Sequence, residues 1–195
     1  MIALDCTHHQ LGMRSVFRFV TLLIALIVAG TLPAQAPVLD AWTGNYTGRM
    51  VAGTAKRPAD TVDVTFTFTP LVADSLWAYT MVFDSERYGV VTKDYYLRAA
   101  SLGDTVNFQL DERNGIVMDQ TLMNDAFYGL YTLLGMTYVT TLRRLPDGTL
   151  LWDLFGVPES TRTMTSTPGG DGEEPIEVVG GKATLQQTVY LKRRE

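Results

Sequence analysis

The chain has 195 residues, enough for one domain or at most two small ones. Its hydrophobic (46%) and charged (19%) fractions are those of a globular protein, not of a disordered or fibrous one. A formal net charge of -5 leaves no broad basic footprint, which argues against nucleic acid as a partner.

The first feature in chain order is a leader. Met13-Arg14-Ser15-Val16-Phe17-Arg18 is a short positive segment. The apolar run Phe19–Ala29 follows it, and then Thr31-Leu32-Pro33-Ala34-Gln35-Ala36. That is the charged, apolar and small-residue order of a secretory signal. Residues 13–36 are therefore expected to be a signal peptide cleaved near Ala36. The product would be exported to a bacterial periplasm or cell exterior. Residues 1–12 precede Met13, which has the setting of an initiator, so they read as a start-site artefact. The only cysteine, Cys6, and the only histidines, His8 and His9, lie in that stretch.

Residues 37–195 thus carry no thiol or imidazole. Disulfides, nucleophilic triads and zinc sites of the usual kinds are excluded there. Asp111 and Glu112 do not make a catalytic pair, because neighbours on a strand point to opposite faces. No enzyme activity, cofactor or metal site is expected. Asp171, Glu173 and Glu174 lack the ligand spacing of a calcium loop and read as a solvated acidic loop.

From Trp42 onward a period-2 pattern dominates. In Asp60–Pro70, Val62, Val64, Phe66 and Phe68 alternate with hydroxyl and acidic residues. This is a half-buried strand rich in β-formers. The same reading predicts about ten strands: 42–52, 60–70, 75–84, 90–99, 104–112, 115–123, 126–134, 136–145, 149–156 and 182–192. Asn114-Gly115 predicts a type I′ hairpin, which needs φ > 0 at both central residues. Pro146-Asp147-Gly148 and Leu134-Gly135 mark further turns. Phe127–Leu134 also fits helical spacing, but Gly129 and the aromatic density favour a strand. The exception is 157–181, a long Pro-, Gly- and Thr-rich loop whose alternating threonines suggest an edge strand.

Short connections make this an antiparallel up-and-down meander. With one apolar face to hide and no crossover helices, the sheet is expected to close into a single all-β barrel spanning 37–195. The last strand would pair with the first. A two-sheet sandwich is the alternative.

Trp42-Thr43-Gly44-Asn45-Tyr46-Thr47-Gly48 resembles the first strand of calycin-like barrels, the group of lipocalins and fatty-acid-binding proteins. "DERNGIV", an aromatic hairpin and a basic-ended last strand are similar to small exported bacterial lipocalin-like proteins. The resemblance implies that Trp42 plugs the closed end and that Arg193 or Arg194 stacks on it through a cation–π contact. Gly44 follows the tryptophan instead of preceding it, which points to the ten-stranded branch. Histidine ligation of haem does not carry over, since 37–195 has no histidine. The Arg-x-Tyr carboxylate site of fatty-acid-binding proteins does not either: Thr188-Val189-Tyr190 lacks the arginine.

Candidate cavity-lining residues are Phe66, Phe68, Trp77 and Tyr79, with Met81, Phe108 and Met118. An apolar small molecule is the ligand they would take, unless these side chains simply fill the core. Arg98 would anchor an anionic head if its face pointed inward, and would be a surface residue if Leu97 and Ala99 did. Trp42, Gly44 and Arg193 are candidates for barrel closure. Residues 126–134 and 149–156 are apolar on both faces, so the 126–156 wall is expected to be covered by a second copy, an envelope partner or the 157–181 segment. The leading expectation is a lipocalin-like binder. A structural or envelope-interaction module with a filled barrel is the second, and an outer-membrane barrel or an isomerase or lyase on the same fold stands behind both.

Overall fold

The computed structural model describes residues 39–54, 56–170 and 173–195. The expected start-site stretch 1–12, the expected signal segment 13–36 and Asp171 lie outside them.

The alternation in sequence becomes alternation in burial. Val62, Val64, Phe66 and Phe68 are buried, while Thr61 and Asp63 between and beside them are exposed. Strands form wherever this pattern runs: β1 (Gly44–Thr54), β2 (Arg57–Val72), β3 (Leu76–Ser85), β4 (Gly89–Ala99), β5 (Asn107–Asp111) and β6 (Val117–Met123). They continue with β7 (Ala126–Leu133), β8 (Met136–Arg144), β9 (Leu150–Pro158), β10 (Thr163–Thr167), β11 (Ile176–Gly180) and β12 (Leu185–Arg193). Phe127–Leu133 is strand, not helix: Leu130 pairs with Val139 and Tyr131 with Tyr138.

Strands β1 to β9 form an antiparallel meander, and β12 pairs with both β9 and β1 to close a ten-stranded barrel. Tyr46 sits opposite Arg193 at one end of the β1–β12 seam and Thr54 opposite Leu185 at the other. The 157–181 segment, expected to be a long loop with an edge strand at its alternating threonines, has a strand there and a second one paired to it. β10 and β11 pair from Thr163–Gly180 to Thr167–Ile176, as a separate two-stranded sheet exposed on both faces. Its foot is tied to the barrel rim by the Thr161 hydroxyl, which donates to the Pro158 carbonyl at 2.8 Å.

Two turns are the two-residue type: Asn124-Asp125 (φ 50° and 56°) and Leu134-Gly135 (φ 50° and 74°). The type I′ turn expected at Asn114-Gly115 is not there. Arg113 and Gly115 take positive φ, at 59° and 98°, and Asn114 does not. Side chains near the turn decide this. Asp111 Oδ1 accepts from the Arg113 N–H at 2.7 Å, and Asn114 Oδ1 from the Ile116 N–H at 3.0 Å. These local bonds hold a wider loop, closed where the Glu112 N–H donates to the Ile116 carbonyl.

Trp42 precedes β1 instead of starting it. It sits on a single 3₁₀ turn, Asp40–Trp42, that turns its indole under the barrel. There it meets Phe127 edge-on, with ring centroids 5.1 Å apart. The Tyr46 hydroxyl donates to the Trp42 carbonyl at 2.8 Å and fixes the turn. Arg193 does not stack on Trp42, whose ring is engaged below. Its guanidinium lies 5.6 Å over the Tyr46 ring and donates to the Thr43 carbonyl and, at 3.3 Å, to the Tyr46 hydroxyl. Gly44 makes room for this: its φ is 155°, and a Cβ there would come within 2.9 Å of Arg193 Nε.

At the Trp42 end of the barrel the aromatics form a chain of contacts. Tyr46 meets Phe66 at 6.0 Å, Phe66 meets Phe68 at 6.2 Å, and Phe68 stacks on Trp77 at 6.3 Å. Trp77 then meets Phe108 at 5.9 Å, Phe108 meets Phe127 at 5.3 Å, and Phe127 meets Trp42. This floor closes one end of the barrel, with Leu39, Leu150 and Leu191 fully buried in the same core.

Candidate functional site

Above the floor the inward faces diverge to enclose a cavity of about 950 Å³. Its middle wall is apolar: Met81 and Phe83 on β3, Leu97 on β4, Leu110 on β5, Leu142 on β8 and Leu154 on β9. The far end opens between the β1–β2, β3–β4 and β7–β8 connections, where Thr54, Arg87 and Leu133 reach the lining.

The expected lining residues divide into three groups. Tyr79, Met81 and Met118 face the cavity. Phe66, Phe68, Trp77 and Phe108 point inward too, but they are sealed in the floor and do not reach it. Strand stagger is the reason. Phe66 and Met81 are direct partners, yet Phe66 closes on Tyr46 and Phe68 while Met81 stands above them.

Arg98 is on the outer wall, so it cannot anchor a ligand head inside. Its Nε donates to Gln109 Oε1 at 3.1 Å, and its guanidinium is 3.6 Å from Asp111. Asp94, on the same outer face of β4, pairs not with Arg98 but with Arg113, at 2.5 Å. Leu97 is the inward residue, and Lys93, Tyr95 and Leu97 form the cavity face of β4.

That face sets polar groups the sequence reading left aside beside Tyr79. Tyr79 and Tyr95 are cross-strand partners with ring centroids 6.1 Å apart. Tyr131 and Tyr138 are partners on β7 and β8 and stack at 5.3 Å. The Tyr95 hydroxyl donates to Glu112 Oε1 at 3.2 Å, and the Asn114 amide donates to Glu112 Oε2 at 3.1 Å. Both oxygens of this carboxylate are therefore engaged by the protein. Gln120 faces inward one step along β6 from Met118; extending that face by two residues would have found it. Gly129, its ladder partner, leaves the space it needs: a Cβ there would collide with the Gln120 amide and lie 2.6 Å from Thr140 Oγ1. Near the mouth the lining includes Arg57, Arg87, Lys93 and Asp60. Among the described residues, no three Asp, Glu, His or Cys side chains converge in a way that could hold a metal ion.

Burial pushes the phenols of Tyr79 and Tyr95 well above their ordinary value of 10, aided by Tyr95 on Tyr79 and by Glu112 on Tyr95. Burial raises Tyr131 as well, with Tyr138 and Glu112 adding to it. In the unfolded chain these groups ionise near pH 10, while in the barrel they keep their protons to higher pH. The unfolded state then binds fewer protons, so unfolding free energy falls as pH rises above about 10 and is fully retained below it. Urea unfolding on either side of that value, with phenolate absorbance followed in parallel, should show this loss. A Tyr79→Phe variant should show a shallower one.

Closed ten-stranded antiparallel topology, an aromatic floor and one open end define a calycin-like barrel. No protein-family model matches the chain, and no curated protein does. Among solved structures, the chain is similar to the S-type phycobiliprotein lyase CPES of Guillardia theta. The TM-score is 0.55 at 10% identity, over 80% of this chain and 90% of that one. It also matches Rv2717c of M. tuberculosis, with a TM-score of 0.41 at 14% identity, over 83% of this chain and 100% of that one. What the first likeness shows is the fold.

Proposed function

We propose that the protein binds a small, mainly apolar molecule inside the barrel. The observation that carries this reading is the cavity of about 950 Å³, open at one end above a sealed floor. Pockets of this size and lining suit a small organic ligand. A filled barrel would have no such space. The outer wall also argues against a lipid-spanning barrel: it carries the ion pairs Arg49–Asp63, Arg98–Asp111 and Asp94–Arg113, where a membrane barrel needs an apolar band.

Binding without catalysis is part of the proposal. The one carboxylate among the cavity tyrosines, Glu112, has both oxygens hydrogen-bonded by the protein, which leaves it poorly placed to act as a base. A lyase shares the fold at 10% identity, and fold alone assigns no chemistry. Export through the 13–36 segment remains part of the reading, supported by the order of charged, apolar and small residues there.

The test is native mass spectrometry of protein purified from its own host, joined to titration with an environment-sensitive apolar dye. Saturable one-to-one binding is expected. Leu154→Trp, which puts bulk into the cavity, should weaken it at least about tenfold, a change worth about 1.4 kcal/mol. Absence of saturable binding by any apolar probe would sink the proposal.

A second reading has an observation of its own. Leu130, Val139 and Phe155 are successive ladder partners on β7, β8 and β9 and form an exposed row on the outer wall. Leu130 is 68% exposed, so the described residues of the 157–181 segment do not cover it. A protein surface of this kind supports a docking role for the 126–156 wall, with a second copy or an envelope partner, alongside the cavity.

A further inference from the structure

The deep end of the cavity is not purely apolar. Tyr79 is 7% exposed and Gln120 8%, and both line the cavity. Neither side chain hydrogen-bonds another described residue. The contrast with Tyr95 is direct, since its hydroxyl is satisfied by Glu112. Both groups also sit low in the barrel. The Tyr79 ring packs edge-on against Phe66 of the floor at 4.7 Å, and Gln120 is the ladder partner of Phe108, another floor residue.

Two neutral polar groups facing an apolar space constrain what can occupy it. A buried hydroxyl or amide left without a partner costs about 1–3 kcal/mol. An occupant that expels water from them must supply hydrogen bonds in its place. Tyr79 offers a donor. Gln120 offers a donor and an acceptor. Among the described residues, the cations that line the cavity are Arg57 and Arg87, on the strand ends at the mouth, and Lys93, which is exposed. An anionic end driven down to this depth would be buried without a counter-charge. The surrounding surface is aromatic, with the stacked Tyr131–Tyr138 pair and the Phe83–Trp152 pair at 6.4 Å.

The geometry points to a flat, conjugated, uncharged ligand that enters with a carbonyl or hydroxyl oxygen foremost and sets it between Tyr79 and Gln120. This rests on the carrier reading and sharpens it, because a straight hydrocarbon tail would leave both groups unserved.

The probes are 9-fluorenone, fluorene, which has the same skeleton with a methylene for the carbonyl, and palmitate. Each is titrated calorimetrically into the full-length protein. Fluorenone should bind about tenfold tighter than fluorene, the yield of one or two net hydrogen bonds, although fluorene is the more hydrophobic. Palmitate should bind more weakly than fluorenone. The double variant Tyr79→Phe, Gln120→Leu should bind fluorene at least as well as the parent and lose the preference for fluorenone. Retained fluorene binding shows that the variant is folded. Equal binding of fluorenone and fluorene to the parent, tighter binding of palmitate, or a preference that survives in the folded double variant overturns the inference and leaves the carrier reading standing. Failure of all three probes to bind removes the carrier reading itself.

Discussion

Replacing Trp42 by alanine lowers the unfolding free energy by about 3–5 kcal/mol, the usual loss for truncating a buried large aromatic. A domain of this kind has about 5–15 kcal/mol in total, so a single side chain outside the strands governs a large share. The indole is 2% exposed and packs against Phe127, one link of the aromatic chain. Its removal leaves a void that strands fixed on both sides cannot collapse to fill. The 3₁₀ turn itself should persist, because Tyr46 bonds the backbone carbonyl of residue 42 and not the side chain. Urea unfolding of the variant should show a lower midpoint with an unchanged slope. Leu102→Ala, at a fully exposed loop position, is the control and should stay within about 0.5 kcal/mol of the parent. A Trp42→Ala loss no larger than the control's would mean that the indole is not part of the packed floor.

Gly48→Ala should cost about 3 kcal/mol or more, the upper range for overpacking, though it adds one methyl group. A Cβ at Gly48 would be driven into the Tyr190 carbonyl oxygen and would lie 2.8 Å from Val189 Cγ2. The obstacle is backbone, so no rotamer change relieves it, and β1 and β12 must part where the barrel closes. Gly53 on the same strand separates this from the general effect of changing glycine. A Cβ there meets only Ala59, at 3.7 Å, an ordinary contact. Gly53→Ala should be nearly neutral or slightly stabilising. Equal unfolding midpoints for the two variants would show that the seam tolerates separation at Gly48.

The inward and outward faces were legible wherever polar and apolar residues alternate cleanly. Val62 to Phe68 and Trp77 to Phe83 all point as the pattern requires, and closure of β12 onto β1 follows from the same logic. On β4 the pattern is doubled, with Lys93-Asp94 and Tyr95-Tyr96 each offering similar residues to both faces. Parity there is settled by Leu97, which enters the core and carries Arg98 outward. Floor and cavity were not separable, because depth depends on how far neighbouring strands are staggered, and that is fixed by pairing between distant segments. Phe66 and Tyr79 look alike along the chain but end on different sides of the floor's upper surface. Trp42 lies in a turn too short to carry any period. Tyr131 and Gln120 belong to faces already readable from Phe127 and Met118. Which members of such a face reach the cavity depends on strand stagger, and parity alone does not give it.

Pairing of β1 with β12 has a kinetic consequence. Tyr46 and Arg193 are neighbours in space across almost the whole length of the barrel-forming chain, so pairing β12 with β1 closes the longest loop in the barrel. Such high contact order makes folding slow. Until β12 arrives, β1 and β9 each present an unpaired edge with an apolar inner face beside it, the combination most prone to joining another chain. The interval between synthesis of β9 and docking of β12 is lengthened by the β10–β11 excursion, which contributes nothing to the wall. The edges of β1 and β9 therefore stay open until the C-terminal strand has been made, and the barrel's exposure to wrong pairing ends only with its last element.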